Sequence, residues 1–118
     1  MIWLFHFLVD VTAAISKLTK FEIQVLADLF DEADEDGDNF LTSEELLTLI
    51  TRVGRSVVDI LETLGWIEKK TDTNDPEYKK MVDAKSTNFT RMISEIRNTY
   101  RNAVDLDQFV GLMAVHFL

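Results

Sequence analysis

The sequence predicts an all-α fold, and three observations carry that expectation. Apolar residues recur at three- and four-residue steps over most of the chain, the spacing of helices that bury one face. Helix-start signals bound these runs: Thr19-Lys20-Phe21-Glu22 and Asp75-Pro76, the latter holding the chain's one proline. A set of apolar positions also recurs at an offset of 63 residues, which predicts two helix–loop–helix units packed on each other. At 118 residues the chain fits one domain, long enough to bury a core without staples.

Composition narrows the function classes. Hydrophobic residues make up 47% of the chain, which argues for a packed interior rather than disorder. A formal charge of −9 argues against nucleic-acid binding, because phosphate contacts need Lys and Arg. With no cysteine there is no disulfide framework, zinc thiolate site or thiol nucleophile. An intracellular location is expected, within a membrane-associated or organellar assembly if the N-terminal arm docks there.

Residues 1–18 form an apolar arm whose first nine residues, MIWLFHFLV, are almost unbroken. That run is too short to span a bilayer, which takes about 20 apolar residues. No Lys or Arg precedes Lys17, so the basic start of a secretory leader is missing. Residues 1–9 are expected to lie in this domain's own core, in a partner protein, or at a membrane interface without crossing it. Trp3, Phe5 and Phe7 suit an interface, yet no basic residues accompany them to meet anionic lipid. His6 and His116 lie in apolar stretches with no acid nearby in sequence, which fits buried structural histidines.

Thr19-Lys20-Phe21-Glu22 reads as a capping box, with Leu18 and Ile23 placed as a hydrophobic staple. A helix from Lys20 puts Leu26, Leu29, Phe30 and Ala33 on one face and delivers the chain to Asp34.

Residues 34–45, DEDGDNFLTSEE, carry acids at positions one, three and five and another at position twelve. Hard oxygen donors at this spacing suit Ca²⁺, which takes six to eight oxygens in a flexible shell. In this register Asp34, Asp36 and Asp38 give side-chain oxygens and Phe40 gives its backbone carbonyl. Thr42 falls at the position usually reached through water, and Glu45 closes the site with both oxygens. Position six normally holds Gly and here holds Asn39; Asn tolerates the left-handed conformation next best. A rival register starting at Glu32 puts Gly37 at the turn but leaves Ser43 where the bidentate acid belongs. A solvated acidic linker is the bland alternative, and it leaves the spacing and the apolar Leu41 unaccounted for.

The loop and its flanking helices resemble an EF-hand, and the lead-in helix is similar in spacing and capping to the first helix of calmodulin-type proteins. The resemblance covers about residues 18–53 and 85–118. It implies a second loop paired with the first.

After Glu45 a helix is expected through Leu46, Leu49, Ile50 and Val53, with its apolar pattern continuing through Val57, Ile60, Leu61, Leu64 and Ile67. Gly54 and Gly65 each weaken it by about 1 kcal/mol, so either one long helix or two with a bend near Gly54 is expected. Residues 69–75 read as a polar linker, and Asp75 as the N-cap of a helix with a break around residues 86–88. The stretch between the two units is longer than in calmodulin-type pairs and suggests two helices standing out from the lobe.

The second unit is a faded copy of the first. The offset that carries Asp34 to Arg97 carries Leu29 to Met92, Phe30 to Ile93, Asn39 to Asn102, Leu41 to Val104 and Leu46 to Phe109. Arg97, Thr99 and Arg101 stand where the first copy has acids, and Gln108 where it has Glu45. Two guanidinium groups would repel a divalent ion, so no metal is expected there. Leu41 is expected to pair with Val104 across a short bridge, and a final helix over residues 109–118 to close the core.

The organisation expected is therefore an apolar arm (1–18) and a paired EF-hand lobe (19–118). The lobe divides into an intact hand (20–53), a helical insertion (54–84) and a degenerate hand (85–118). One Ca²⁺ is expected, together with a protein partner met through residues 1–9 or through the apolar groove of the lobe. Met81, Met92 and Met113 read as packing residues. No nucleophile motif or glycine-rich phosphate loop is present, and no enzymatic activity is expected. The expected role is an accessory, structural subunit of a larger assembly. The alternative is a calcium sensor or regulatory light-chain-like module that exposes apolar surface.

Overall fold

A computed structural model describes residues 17–51, 54, 56–68 and 74–118. The expectations for residues 1–9, His6, Val53 and most of the 69–75 linker lie outside the described residues. Within them the chain is all-helical: α1 (Lys20–Ala33), α2 (Ser43–Thr51), α3 (Val57–Leu64), α4 (Pro76–Thr99) and α5 (Leu106–Phe117).

Local chemistry sets the helix ends. At α1, Thr19 Oγ1 accepts the Glu22 N–H at 3.1 Å and Glu22 Oε1 accepts the Thr19 N–H at 2.8 Å. This capping box satisfies two donors that the first turn would otherwise leave orphaned. Asp75 Oδ1 accepts from the Glu77 N–H ahead of α4, with Pro76 in the first turn, where its missing N–H costs nothing. α3 starts on Ser56, which accepts the Asp59 N–H, and stops at Gly65. Gly65 has φ of 76°, a left-handed cap that a residue without Cβ adopts freely.

The inward faces are those the periodicity indicates. Leu26, Leu29, Phe30 and Ala33 of α1 are buried against Leu46 and Leu49 of α2, Met92, Ile93 and Ile96 of α4, and the apolar side of α5. Phe30 and Phe109 meet with ring centroids 5.9 Å apart in a tilted arrangement. Between the two units, Leu41 and Val104 form an isolated antiparallel bridge. Leu41 N–H donates to the Val104 carbonyl at 2.8 Å, and Val104 N–H donates to that of Leu41 at 3.0 Å. Both side chains are fully buried, so the expected pairing is present.

Three expectations need correction. The insertion does not stand out from the lobe: Ile60, Leu61 and Leu64 of α3 join the core, and Val58 is buried as well. The stripe at α3 would otherwise be exposed to water, and burying such a side chain gains about 1.5–3 kcal/mol. The indole N–H of Trp66, just after α3, also donates to the Glu22 carboxylate and ties this end to the start of α1. Second, α4 runs without a break through residues 86–88. The hydroxyls of Thr87 and Thr90 donate to the carbonyls of Asp83 and Ser86, so these polar side chains turn back onto the helix. Third, the last helix begins at Leu106 rather than Phe109. Asp105 and Gln108 form a reciprocal capping box, at 2.8 and 3.0 Å, that starts it earlier. Of the two alternatives at Gly54, two helices are seen, with Gly54 at φ of 80° between them. No helix among the described residues is long and apolar enough to cross a membrane.

Candidate metal centre

The loop between α1 and α2 folds back on itself through its own backbone. Asn39 takes φ of 67° and Gly37 φ of 68°, both in the left-handed region. The tolerance for Asn at the bend is thus used at position 39. Asn39 N–H donates to Asp34 Oδ2 at 3.0 Å, and Phe40 N–H to Asp38 Oδ1 at 3.0 Å. These bonds turn successive carboxylates toward one point.

Asp34, Asp36, Asp38 and Glu45 each bring a carboxylate oxygen to within 4.8 Å of the others. Asp34 and Glu45 are half-buried, and Asp36 and Asp38 are exposed. Phe40 and Thr42, the other two expected ligands, are tied to the cluster through their N–H groups, which donate to Asp38 Oδ1 and Glu45 Oε1. Thr42 caps α2: its Oγ1 accepts the Glu45 N–H at 3.1 Å, while Glu45 Oε1 accepts the Thr42 N–H at 3.0 Å. The other oxygen of Glu45, Oε2, accepts the Glu35 N–H at 3.0 Å and straps the loop shut.

Electrostatics leave this cluster short of positive charge. The last turn of α1 holds no basic residue, so the acids stand at the negative end of the helix dipole uncompensated. Among the described residues, no Lys or Arg forms an ion pair with the four carboxylates. Asp34 Oδ1 is buried without a hydrogen-bond partner among them. A buried, unpartnered carboxylate oxygen is costly unless something electropositive meets it. Asp36 is held above the usual Asp range, chiefly by the side chain of Asp34 beside it, which disfavours a second negative charge there. Asp38 is held below that range, chiefly by the Phe40 N–H. The donor set is all oxygen, which fits a hard cation.

The second loop is put to a different use. α4 continues to Thr99, so Arg97 and Thr99 remain helical instead of entering a loop. Arg97 Nε donates to Ser43 Oγ at 2.9 Å. Asn102, at φ of 60°, accepts the Ser43 N–H at 2.8 Å through Oδ1 and donates to Glu44 Oε2 at 2.7 Å through Nδ2. Gln108 keeps the capping function of Glu45 without its charge.

Two features escaped the sequence reading. Thr42-Ser43-Glu44-Glu45 is itself a capping-box string and could have been read as one. His116 does have an acid: its Nε2 lies 2.6 Å from Glu95 Oε2, on the neighbouring helix α4. Only packing of α5 on α4 brings that pair together, so nothing local in the sequence announces it.

No protein-family model, curated protein or solved structure matches the chain.

Proposed function

We propose that residues 34–45 bind one calcium ion in the manner of an EF-hand and that the chain is an accessory, structural subunit of a larger assembly. The observation that carries the metal reading is the meeting of four carboxylates with a buried Asp34 Oδ1 that no group among the described residues satisfies. Asp34, Asp36, Asp38 and Glu45 would hold the ion, with the Phe40 carbonyl and a water beside Thr42 completing the shell. Calcium is favoured over magnesium because a largely exposed, all-oxygen loop with a closing two-oxygen acid suits six to eight ligands; magnesium demands a near-ideal octahedron and keeps several waters. The acids are assigned no catalytic role.

A structural role is favoured because the two units are already joined without help from an ion, by the Leu41–Val104 bridge and the bonds from Arg97 and Asn102 to α2. A second reading, a sensor, is supported by an apolar hollow lined by Leu29, Leu49, Ile60, Phe89, Phe109 and Met113 among others. Partner contact is assigned to residues 1–9 or to this hollow.

Calorimetric titration of calcium into the full chain, with Glu45→Gln beside it, tests the metal reading. Gln retains the cap on Thr42 and removes the charge, so the variant should fold and bind far more weakly; equal binding would discard the site. Deleting residues 2–9 tests the subunit role: assembly that proceeds unchanged removes the arm as the docking element. Calcium-dependent dye binding would favour the sensor over the structural subunit.

A further inference from the structure

The connection between α4 and α5 grips the first turn of α2, the helix that follows the acidic loop. Ser43 is the first residue of α2, and its N–H is one of the donors a helix leaves without an internal partner. Asn102, 59 residues away, accepts that N–H through Oδ1 and uses Nδ2 to donate to Glu44. The Arg97 guanidinium donates to the Ser43 hydroxyl, and Ser43 is fully buried under this grip. Thr42 takes the Glu45 N–H from the other side. The first turn of α2 is therefore held from both units, and Glu45 is the third residue of that turn.

Asn102 is fitted to this position in two ways. It occupies a left-handed conformation, fixed by its own N–H donating to the Ile96 carbonyl at 2.8 Å. Its carboxamide offers an acceptor and a donor together, which Ser43 and Glu44 require. An aspartate there would meet the Ser43 N–H but would repel Glu44.

We infer that Asn102 is a positioning residue for the metal site, holding Glu45 through the first turn of α2 so that both its oxygens close on the ion. The inference rests on the calcium reading. Arg97, Thr99 and Arg101 standing where the first unit has acids then has a purpose: the grip on Ser43 and Glu44 needs no ion of its own. Fixing a ligand before binding reduces the ordering cost of binding. The benefit falls mainly on calcium, which uses both oxygens of the closing acid, rather than on magnesium with its smaller shell.

The test compares wild type, Asn102→Gly and Asn102→Asp in the full chain, titrated separately with calcium and with magnesium. Glycine keeps the left-handed backbone without strain and removes only the side chain. With helix content unchanged, calcium affinity should fall at least about tenfold, the usual effect of losing a group that orients a ligand, and magnesium affinity much less. A general loss of stability would instead weaken both ions by one factor. Asn102→Asp should show the same loss of calcium preference, and it serves if the glycine variant fails to fold. Wild-type calcium affinity in either folded variant, or an equal loss for both ions, overturns the inference and leaves the site standing. Failure of the wild type to take up calcium removes the site and this inference with it.

Discussion

Glu45 Oε2 accepts the backbone N–H of Glu35 at 3.0 Å, across ten residues of chain. The same carboxylate caps α2 through Oε1 and Thr42. Glu45 is therefore a structural fastener as well as a proposed ligand, and the two roles can be separated by substitution. In chelator, Glu45→Ala should destabilise the fold by about 1–2 kcal/mol, as expected for a lost helix cap. Glu45→Gln should cost less: its carbonyl oxygen can keep the Thr42 bond, although its amide nitrogen cannot accept from Glu35. Urea denaturation of the metal-free proteins measures both; a negligible cost for Glu45→Ala would mean that the cap contributes nothing.

The bend at Asn39 gives a second expectation. Its φ of 67° suits Asn and Gly and burdens a β-branched residue. Asn39→Gly should leave stability within about 0.5 kcal/mol, whereas Asn39→Val should cost about 1–2 kcal/mol. Denaturation midpoints of the two variants check this, and a neutral Val variant would show that the left-handed bend is not maintained.

Phe109 is 1% exposed and stacks at a tilt on Phe30 from the other unit. Phe109→Ala should cost about 3–5 kcal/mol, through lost transfer energy and the cavity left behind. Thermal or urea unfolding reads the loss; a cost below about 1 kcal/mol would mean that the two units do not share one core.

Glu22 provides the pH dependence. Its carboxyl is held below the ordinary value of 4.5, first by the Thr19 N–H and then by the Trp66 indole. The folded state thus binds fewer protons at Glu22 than the unfolded chain does. The resulting stability is complete above the ordinary Glu value and is lost as pH falls through the depressed one. Glu22→Gln removes this contribution, so the wild type's advantage over it should shrink as pH is lowered from about 6 to about 3. Urea midpoints across that range measure it, and a constant gap between the two proteins would contradict the shift.

What the sequence made legible followed from short-range chemistry. The Thr19–Glu22 box, the inward face of α1, the Asn39 bend and the Leu41–Val104 bridge all follow from spacing or from the repeat. The errors lay where long-range packing decides. The apolar stripe of α3 was visible, but the side of the lobe it would cover was not. The polar run at residues 86–88 suggested a break because the return of the threonine hydroxyls to their own helix depends on rotamer choice. The pairing of Glu95 with His116 and the grip of Asn102 on Ser43 join residues 21 and 59 positions apart, and only the folded lobe brings them together.

The most direct test of the proposed metal centre is a crystal structure grown with excess calcium. Density for one ion is expected, about 2.3–2.6 Å from oxygens of Asp34, Asp36, Asp38 and Glu45 and from the Phe40 carbonyl. A well-resolved loop with no ion, and with Glu45 still bonded only to Glu35 and Thr42 at saturating calcium, would contradict it.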